Sequence, residues 1–433
     1  MMATLRTSSE GASLWHNRSF RLFFTGQFVT NAGDSLYTVA VLWIAHELSG
    51  STVVTGALNA VLLLPWLLQI FAGPLVDRYR IEPLLIGSQL VQGVVVLALP
   101  FAAVTDRLSV GVLFTVVPVL TMAQTVMSPM RAAVLPRIVD ENRLSRANSA
   151  LATITLGLDM VFDALGGVFI AVFGATALFL FDSVTFAVAA ALFAGIAIPT
   201  ADTSEPTPET SNGSVIGSYV ADLRAGVDVL RGTVFVELVA MTAIVNFATG
   251  VTLAILPSFG GELAGAAAYG LLLGALGIGR LVGSLAAPSF EGVGFGRITF
   301  GSYALTAGVW LAAVLAPSTP LTVVCFGLAW IPIGVTSVLT ATLNQTVFAT
   351  DVLGRISTIK GTASGATLPI GSLLGGGIAE VVGTTTTMAL AALGFGVAGA
   401  YVLSRSHLRR LPAVGNADPA AFGVSDRSNH SSE

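Results

Sequence analysis

The sequence predicts an all-α integral membrane protein, and three observations carry that prediction. Only 10% of the 433 residues are charged and 54% are hydrophobic, with a mean hydropathy of +0.83. Soluble domains carry about 25% charge, because a water-facing surface must be covered with polar groups. Apolar runs long enough to cross a hydrocarbon core of about 30 Å, which needs about 20 helical residues, recur between turn residues and charges. Basic residues fall on alternate connections between those runs. Together these features describe twelve membrane-spanning helices.

In order, the runs are 20–47, 52–76, 84–104, 109–134, 147–173, 175–198, 233–259, 264–289, 298–316, 320–346, 356–382 and 384–404. Residues 1–19 form a cytoplasmic N-terminal segment that passes straight into the first run without the small-residue cleavage site of a signal peptide, so that run is expected to be retained. The termini and even-numbered connections hold Arg6, Arg18, Arg21, Arg78, Arg80, Arg131, Arg137, Arg143, Arg146, Arg224, Arg231, Arg297, Arg355, Lys360, Arg405, Arg409, Arg410 and Arg427, which are 18 of the 20 basic residues. Arg107 alone falls on an odd-numbered connection, and Arg280 falls inside a run. Lys and Arg are retained on the cytoplasmic side, so a multi-pass plasma membrane protein with both termini in the cytoplasm is expected.

Residues 199–232 change character. The stretch 199–213 is rich in Thr, Ser, Pro and Glu, as a solvated linker is. In 218–231, Val220, Leu223, Val227 and Leu230 recur at helical spacing against Asp222, Arg224, Asp228 and Arg231, which predicts an amphipathic helix on the inner membrane surface. The linker divides the chain into two six-helix bundles, 20–198 and 233–404. A tail, 405–433, follows and is expected to be disordered from Pro412 on. An internal repeat supports the division: Arg143, Leu144 and Ser145 open a segment reaching Gly166 and Gly167, while Arg355, Ile356 and Ser357 open one reaching Gly375 and Gly376. The offset of 212 residues also lays Asp34 over Asn246. Two related halves with substrate held between them is the architecture of many secondary transporters.

Several short motifs then carry a family likeness. Asn17, Arg18, Ser19, Phe20, Arg21, Gly26, Gln27, Gly33 and Asp34, with Leu48 to Ser51, resemble the first span of the major facilitator superfamily, in the branch of macrolide-efflux and enterobactin exporters. Gly73, Pro74, Leu75, Val76, Asp77 and Arg78 look like the signature after the second span. Pro129, Arg131, Leu135, Pro136, Asn148, Phe181, Asp182 and Ser183 match the pattern of spans four to six, and Gly354 with Arg355 the second-half loop. The resemblance runs from about residue 17 to 411 and implies a major facilitator fold, pseudo-symmetric and moving by a rocker switch. It also implies that Gly73, Asp77 and Arg78 form a cytoplasmic gate motif. The chain departs from the pattern after Arg78, where Arg80, Ile81, Glu82 and Pro83 follow, and in the fifth span, where Phe162 and Asp163 replace a Gly-Pro.

Charges inside the hydrocarbon are costly and are functional candidates by default. Asp34 lies midway along the first span, which faces the central cavity in the resembled fold. Its carboxyl either carries a proton or meets a cationic substrate, or else makes a structural hydrogen bond. Asp159 and Asp163, spaced i, i+4, share one helix face, which suits proton coupling or a packed pair. Arg280 keeps its charge and must be paired or wet. At 1.5 Å per residue, Asp159 and Arg280 lie about 18 and 16 Å from the inner ends of their spans. In the resembled fold those spans face each other, so a salt bridge between the halves is expected. Asp182 reads as peripheral and structural, and Glu237, Glu380 and Lys360 as interfacial. Tyr37, Trp66 and Trp330 are candidate cavity aromatics, with core packing as the alternative.

The same residues limit the function classes. A net charge of −4 and the lack of a long basic run exclude a nucleic-acid surface. A single cysteine, Cys325, and four scattered histidines give no disulfide, metal site or cofactor. No nucleophile with a base and no P-loop fingerprint is present, so no enzyme activity is expected. The expected function is proton-coupled export of amphipathic drug- or siderophore-like small molecules, with uptake by the same fold or a non-transporting sensor as alternatives. The expected partners are the small molecule, the proton gradient and the bilayer, with the chain acting as a monomer.

Overall fold

The computed structural model of the chain describes residues 14–65, 81–125, 127–154, 159–198, 230, 232–348 and 350–423. In chain order its helices are α1 (Arg18–Ser49), α2 (Thr52–Leu62), α3 (Ile81–Val96), α4 (Ala98–Val104), α5 (Val110–Thr125), α6 (Met127–Ile138), α7 (Leu144–Thr153), α8 (Asp159–Phe173), α9 (Ala175–Ala194), α10 (Val234–Ala264), α11 (Ala266–Ala286), α12 (Phe295–Val314), α13 (Thr319–Val347), α14 (Thr350–Gly365), α15 (Thr367–Val382), α16 (Thr384–Ser404) and α17 (Ser406–Arg409). Among the described residues there is no strand, only an isolated bridge between Gly294 and Ala413.

Helix ends follow local chemistry. Asn17 opens α1 by accepting the Phe20 N–H at 3.1 Å, one of the orphan donors of a first turn. Its own amide donates to the Ile138 carbonyl at 2.6 Å and ties α1 to the end of α6. The helix stops at Gly50, whose φ of 59° is a left-handed conformation that glycine adopts without a Cβ clash.

Eight segments among the described residues are long and apolar enough to cross a membrane: Ile81–Val104, Val110–Ile138, Ala175–Ala194, Phe235–Ala264, Ala266–Phe290, Thr319–Val347, Ile359–Val382 and Thr384–Ser404. Thr52–Leu62 and Val161–Phe173 are apolar but shorter. Large apolar side chains remain on the outside, with Phe101, Val104, Leu285, Leu315 and Val381 each more than 70% exposed. Gln27, Thr30, Gln89, Gln92 and Asp182 are buried instead. Polar side chains held inside, with large apolar ones left on the exterior, suit a hydrocarbon surrounding.

Helices up to α9, apart from α2 and α8, pack chiefly on one another, α9 against α1 and α3; those from α10 onward do likewise, α11 and α12 against α13 and α10 against α15. The two sets meet where α15 and α10 touch α2, where α8 touches α11, and where α1 touches α10. These contacts gather at the end carrying the α1–α2 turn. There the Ser258 hydroxyl lies 3.1 Å from the His46 ring nitrogen, Trp43 stacks on Tyr269, the Thr52 hydroxyl donates to the Gly376 carbonyl at 2.8 Å, and the Asn59 amide donates to Ser372 at 2.8 Å. Small residues permit this approach. A Cβ on Gly167 would collide with the backbone of Gly270, and one on Gly56 with the backbone of Ser372.

The tail does not run free from Pro412 as its polarity suggests. The Phe295 N–H donates to the Pro412 carbonyl at 3.0 Å, and Phe422 is fully buried with its ring 5.9 Å from that of Phe235. Val414 and Phe422, both seated in the core, anchor the segment through residue 423. Residues 199–229 of the linker, with most of its amphipathic stretch, lie outside the described residues.

Candidate functional site

A cavity of about 720 Å³ lies among α10, α11, α13, α14 and α15, with Leu63, just past α2, contributing from the first set of helices. Its wall is apolar at Val245, Leu253, Ile333 and Leu368 and polar at Asn246, Thr249, Arg280 and Ser364. Asn246, Thr249 and Leu253 fall on one face of α10 because they are spaced by three and four residues. The Asn246 amide donates to the Ser364 carbonyl at 3.0 Å and joins α10 to α14. Arg280 makes no ion pair among the described residues. Its guanidinium carbon sits 5.8 Å from the centre of the Trp330 ring, and that ring is packed among Trp310, Phe326 and Phe395. A cavity of this size, with a few convergent polar groups in an apolar wall, fits a small organic molecule.

A second polar region occupies the first set of helices. The Gln124 amide donates to Asp34 Oδ1 at 2.9 Å, Arg131 donates to Gln27 Oε1 at 2.6 Å, and the Thr30 hydroxyl donates to Gln89 Oε1 at 3.1 Å. Ser35 donates to the Asp163 carboxylate and thereby links α1 to α8. Asp182 is fully buried, not peripheral: its Oδ1 accepts from the Thr185 hydroxyl at 3.3 Å and lies against Gly33, while its Oδ2 has no partner. A span position read from sequence gives depth but not facing, and here the α9 face carrying Asp182 turns inward onto α1.

The structure therefore separates the residues that sequence grouped together. Arg280 and Trp330 line the cavity. Asp34 and Asp163 do not; each is held by a side chain of its own set of helices. Tyr37 is a core residue that does not reach the cavity wall, its ring 6.0 Å from that of Phe179. Trp66, Gly73, Asp77 and Arg78 lie outside the described residues, as does the Asp159 side chain. The antiparallel register that sets Gly167 against Gly270 and Ala164 against Gly274 brings the Asp159 backbone level with the turn of α11 that carries Arg280.

Three residues taken as interfacial have partners. Lys360 donates to Asn344 Oδ1 and sits 4.3 Å from the centre of the Phe235 ring. Glu237 accepts from the Tyr401 hydroxyl at 3.1 Å and lies 2.8 Å from the His407 ring nitrogen. Glu380 reaches from α15 to the start of α2, where it accepts from the Thr52 N–H at 3.1 Å and the Ser51 hydroxyl at 3.2 Å and shares the one Thr52 hydroxyl proton with the Gly376 carbonyl. Its role was invisible in sequence because its partners are 328 positions away.

Comparison with known proteins agrees with this geometry. The chain is 23% identical over 383 residues to the staphyloferrin A transporter of Staphylococcus aureus, covering 86% of this chain and 92% of that protein. It is 27% identical over 154 residues to an uncharacterised MFS-type transporter, YfmI, of Bacillus subtilis, a match spanning 34% of this chain and 37% of that protein. Among solved structures, a bacterial homologue of the human lysosomal transporter Spinster, inward-facing and occupied, superposes with a TM-score of 0.66 at 12% identity, covering 91% of this chain and 97% of that one. A bacterial homologue of the iron transporter ferroportin, also inward-facing, gives 0.63 at 16% identity, covering 91% and 100%. The nucleoside transporter NupG gives 0.66 at 11% identity, covering 89% and 98%. These are transporters, not enzymes. The transmembrane secretion effector family matches residues 9–423, and the chain belongs to that family, within the major facilitator superfamily.

Proposed function

We propose that the chain exports amphipathic small molecules of drug or siderophore kind across the plasma membrane, driven by protons, by rocking two six-helix bundles (20–198 and 233–404) about the cavity. The observation that carries this reading is a cavity of about 720 Å³ walled by the second set of helices, with Leu63 of the first set at its edge. The relative named for staphyloferrin A supports a siderophore-like solute. The halves divide the work: the first holds the acids Asp34 and Asp163, suited to protons, and the second holds the Arg280 cavity, suited to the solute. Asp34 and its repeat counterpart Asn246 express that division, an acid in one half and a neutral amide in the other. Asp159 and Arg280 pair across the halves to close the inner half of the cavity in one state and separate when the halves rock. Gly73, Asp77 and Arg78 gate the cytoplasmic side. Reconstituted in liposomes, the protein should move a fluorescent amphiphile several times faster under an imposed pH gradient than without one. Equal rates in the two conditions would remove proton coupling.

With twelve spans and both termini cytoplasmic, the α1–α2 turn is an outer one, and the end at which the two sets of helices meet is the outer end. A cysteine at Ser318, in a Cys325→Ser background, should react with an impermeant thiol reagent applied to intact cells. Reaction only after permeabilisation would invert the orientation.

A further inference from the structure

We infer that Arg280 anchors a carboxylate on the transported molecule, so that the substrate is an amphipathic anion; this rests on the transport reading and names the substrate class of the same cavity. A guanidinium keeps its charge under all ordinary conditions, and at membrane depth an uncompensated charge is costly. The counter-charge is not supplied by any described acid. Asp34 is held by Gln124, Asp163 by Ser35, Glu237 by Tyr401 and His407, and Glu380 by Ser51 and Thr52. Asp182 lies buried against Gly33 in the other set of helices.

The surroundings of Arg280 suit a ligand more than a structural partner. It stands on the cavity wall, and the Trp330 face beside it restricts the guanidinium without consuming its N–H groups. A planar guanidinium so restricted matches a carboxylate with two parallel hydrogen bonds. Asn246, Thr249 and Ser364 offer neutral polar contacts on the same wall, while Val245, Leu253, Ile333 and Leu368 offer an apolar bed. An anion with an apolar body is therefore complementary to the whole lining. A cation is opposed by Arg280, the one charge among the described lining residues.

The test uses purified full-length protein in zwitterionic nanodiscs and three dansyl probes of one body and different charge: dansylglycine, uncharged dansylglycinamide and cationic dansylethylenediamine. Binding is read by energy transfer from tryptophan, with empty nanodiscs as the blank. Dansylglycine should bind about tenfold tighter than the amide, a difference typical of one charge-assisted contact, and the cation should bind weakest. Arg280→Gln should bring the anion and the amide to within about twofold, and Arg280→Lys, which keeps charge but not the planar fork, should fall between. Absence of anion binding in the wild type, equal binding of the three probes, or an anion preference that survives Arg280→Gln overturns the assignment. So does native mass spectrometry showing that dansylglycine releases a stoichiometric anionic phospholipid, which would give the site to a lipid headgroup. Binding needs no gradient and no turnover, so a failure here is separable from a failure of the flux test.

Discussion

Asp34→Asn should abolish gradient-driven transport while leaving the amount of folded protein near normal. The argument is one of shape against titration. Asp34 Oδ1 accepts from the Gln124 amide at 2.9 Å, and an asparagine in its place keeps an oxygen for that bond, so the contact between α1 and α5 survives. The amide cannot exchange a proton, and the rate under a pH gradient should fall to the rate measured without one. Exchange of labelled for unlabelled solute, which requires rocking but no net proton movement, should persist. Two quantities decide the matter: gradient-driven flux and ungated exchange in the same proteoliposomes. If the mutant still accelerates under the gradient, Asp34 is a structural hydrogen-bond acceptor and the proton is carried elsewhere. Asp182, buried with one oxygen unpartnered, is then the next residue to substitute.

Sequence carried the lengthwise description of this molecule well and its sideways description poorly. The run 20–47 becomes α1, Arg18–Ser49, and 384–404 becomes α16, Thr384–Ser404, because apolar content and turn residues report directly on where a helix starts and stops. The run 356–382 is matched by one apolar segment, Ile359–Val382, but a break at Ala366 divides it between α14 and α15, and nothing in its apolar content marks that break. Arg280 was legible as a charge where none is expected. Its cavity was not, since Asn246, Thr249 and Ser364 are ordinary polar residues until α10 and α14 set them beside α11. Tyr37 and Trp330 looked alike as aromatics in spans and both are buried; only facing puts Trp330, and not Tyr37, at the edge of the cavity. The docking of Phe422 on Phe235 likewise depends on a contact between the two ends of the second half, beyond any local pattern.

Glu380→Lys should open the end of the molecule that the structure shows closed. Glu380 stands at the first turn of α2, where backbone N–H groups lack intrahelical partners and the helix dipole favours negative charge. The carboxylate accepts from the Thr52 N–H and the Ser51 hydroxyl and shares the Thr52 hydroxyl proton, and so holds α15 of the second set of helices to α2 of the first. Lysine offers no acceptor and places a cation against that positive helix end, turning an attraction between the halves into a repulsion. Neighbouring ties, such as Thr52 to the Gly376 carbonyl and Asn59 to Ser372, remain to hold the fold. The equilibrium should therefore move toward opening rather than unfolding. The readout is a cysteine in place of Thr249 on the cavity wall, in the Cys325→Ser background. Its labelling rate by an impermeant reagent, added on the side that reaches a cysteine at Ser318, should rise at least about tenfold in Glu380→Lys. Glu380→Gln, which keeps an acceptor oxygen but loses the charge, should give a smaller increase. Labelling of the Thr249 cysteine that is as slow in Glu380→Lys as in the parent, with the Ser318 cysteine reacting normally in both, would show that the glycine-lined contacts of α2 with α15 and of α8 with α11 keep this end shut without the carboxylate.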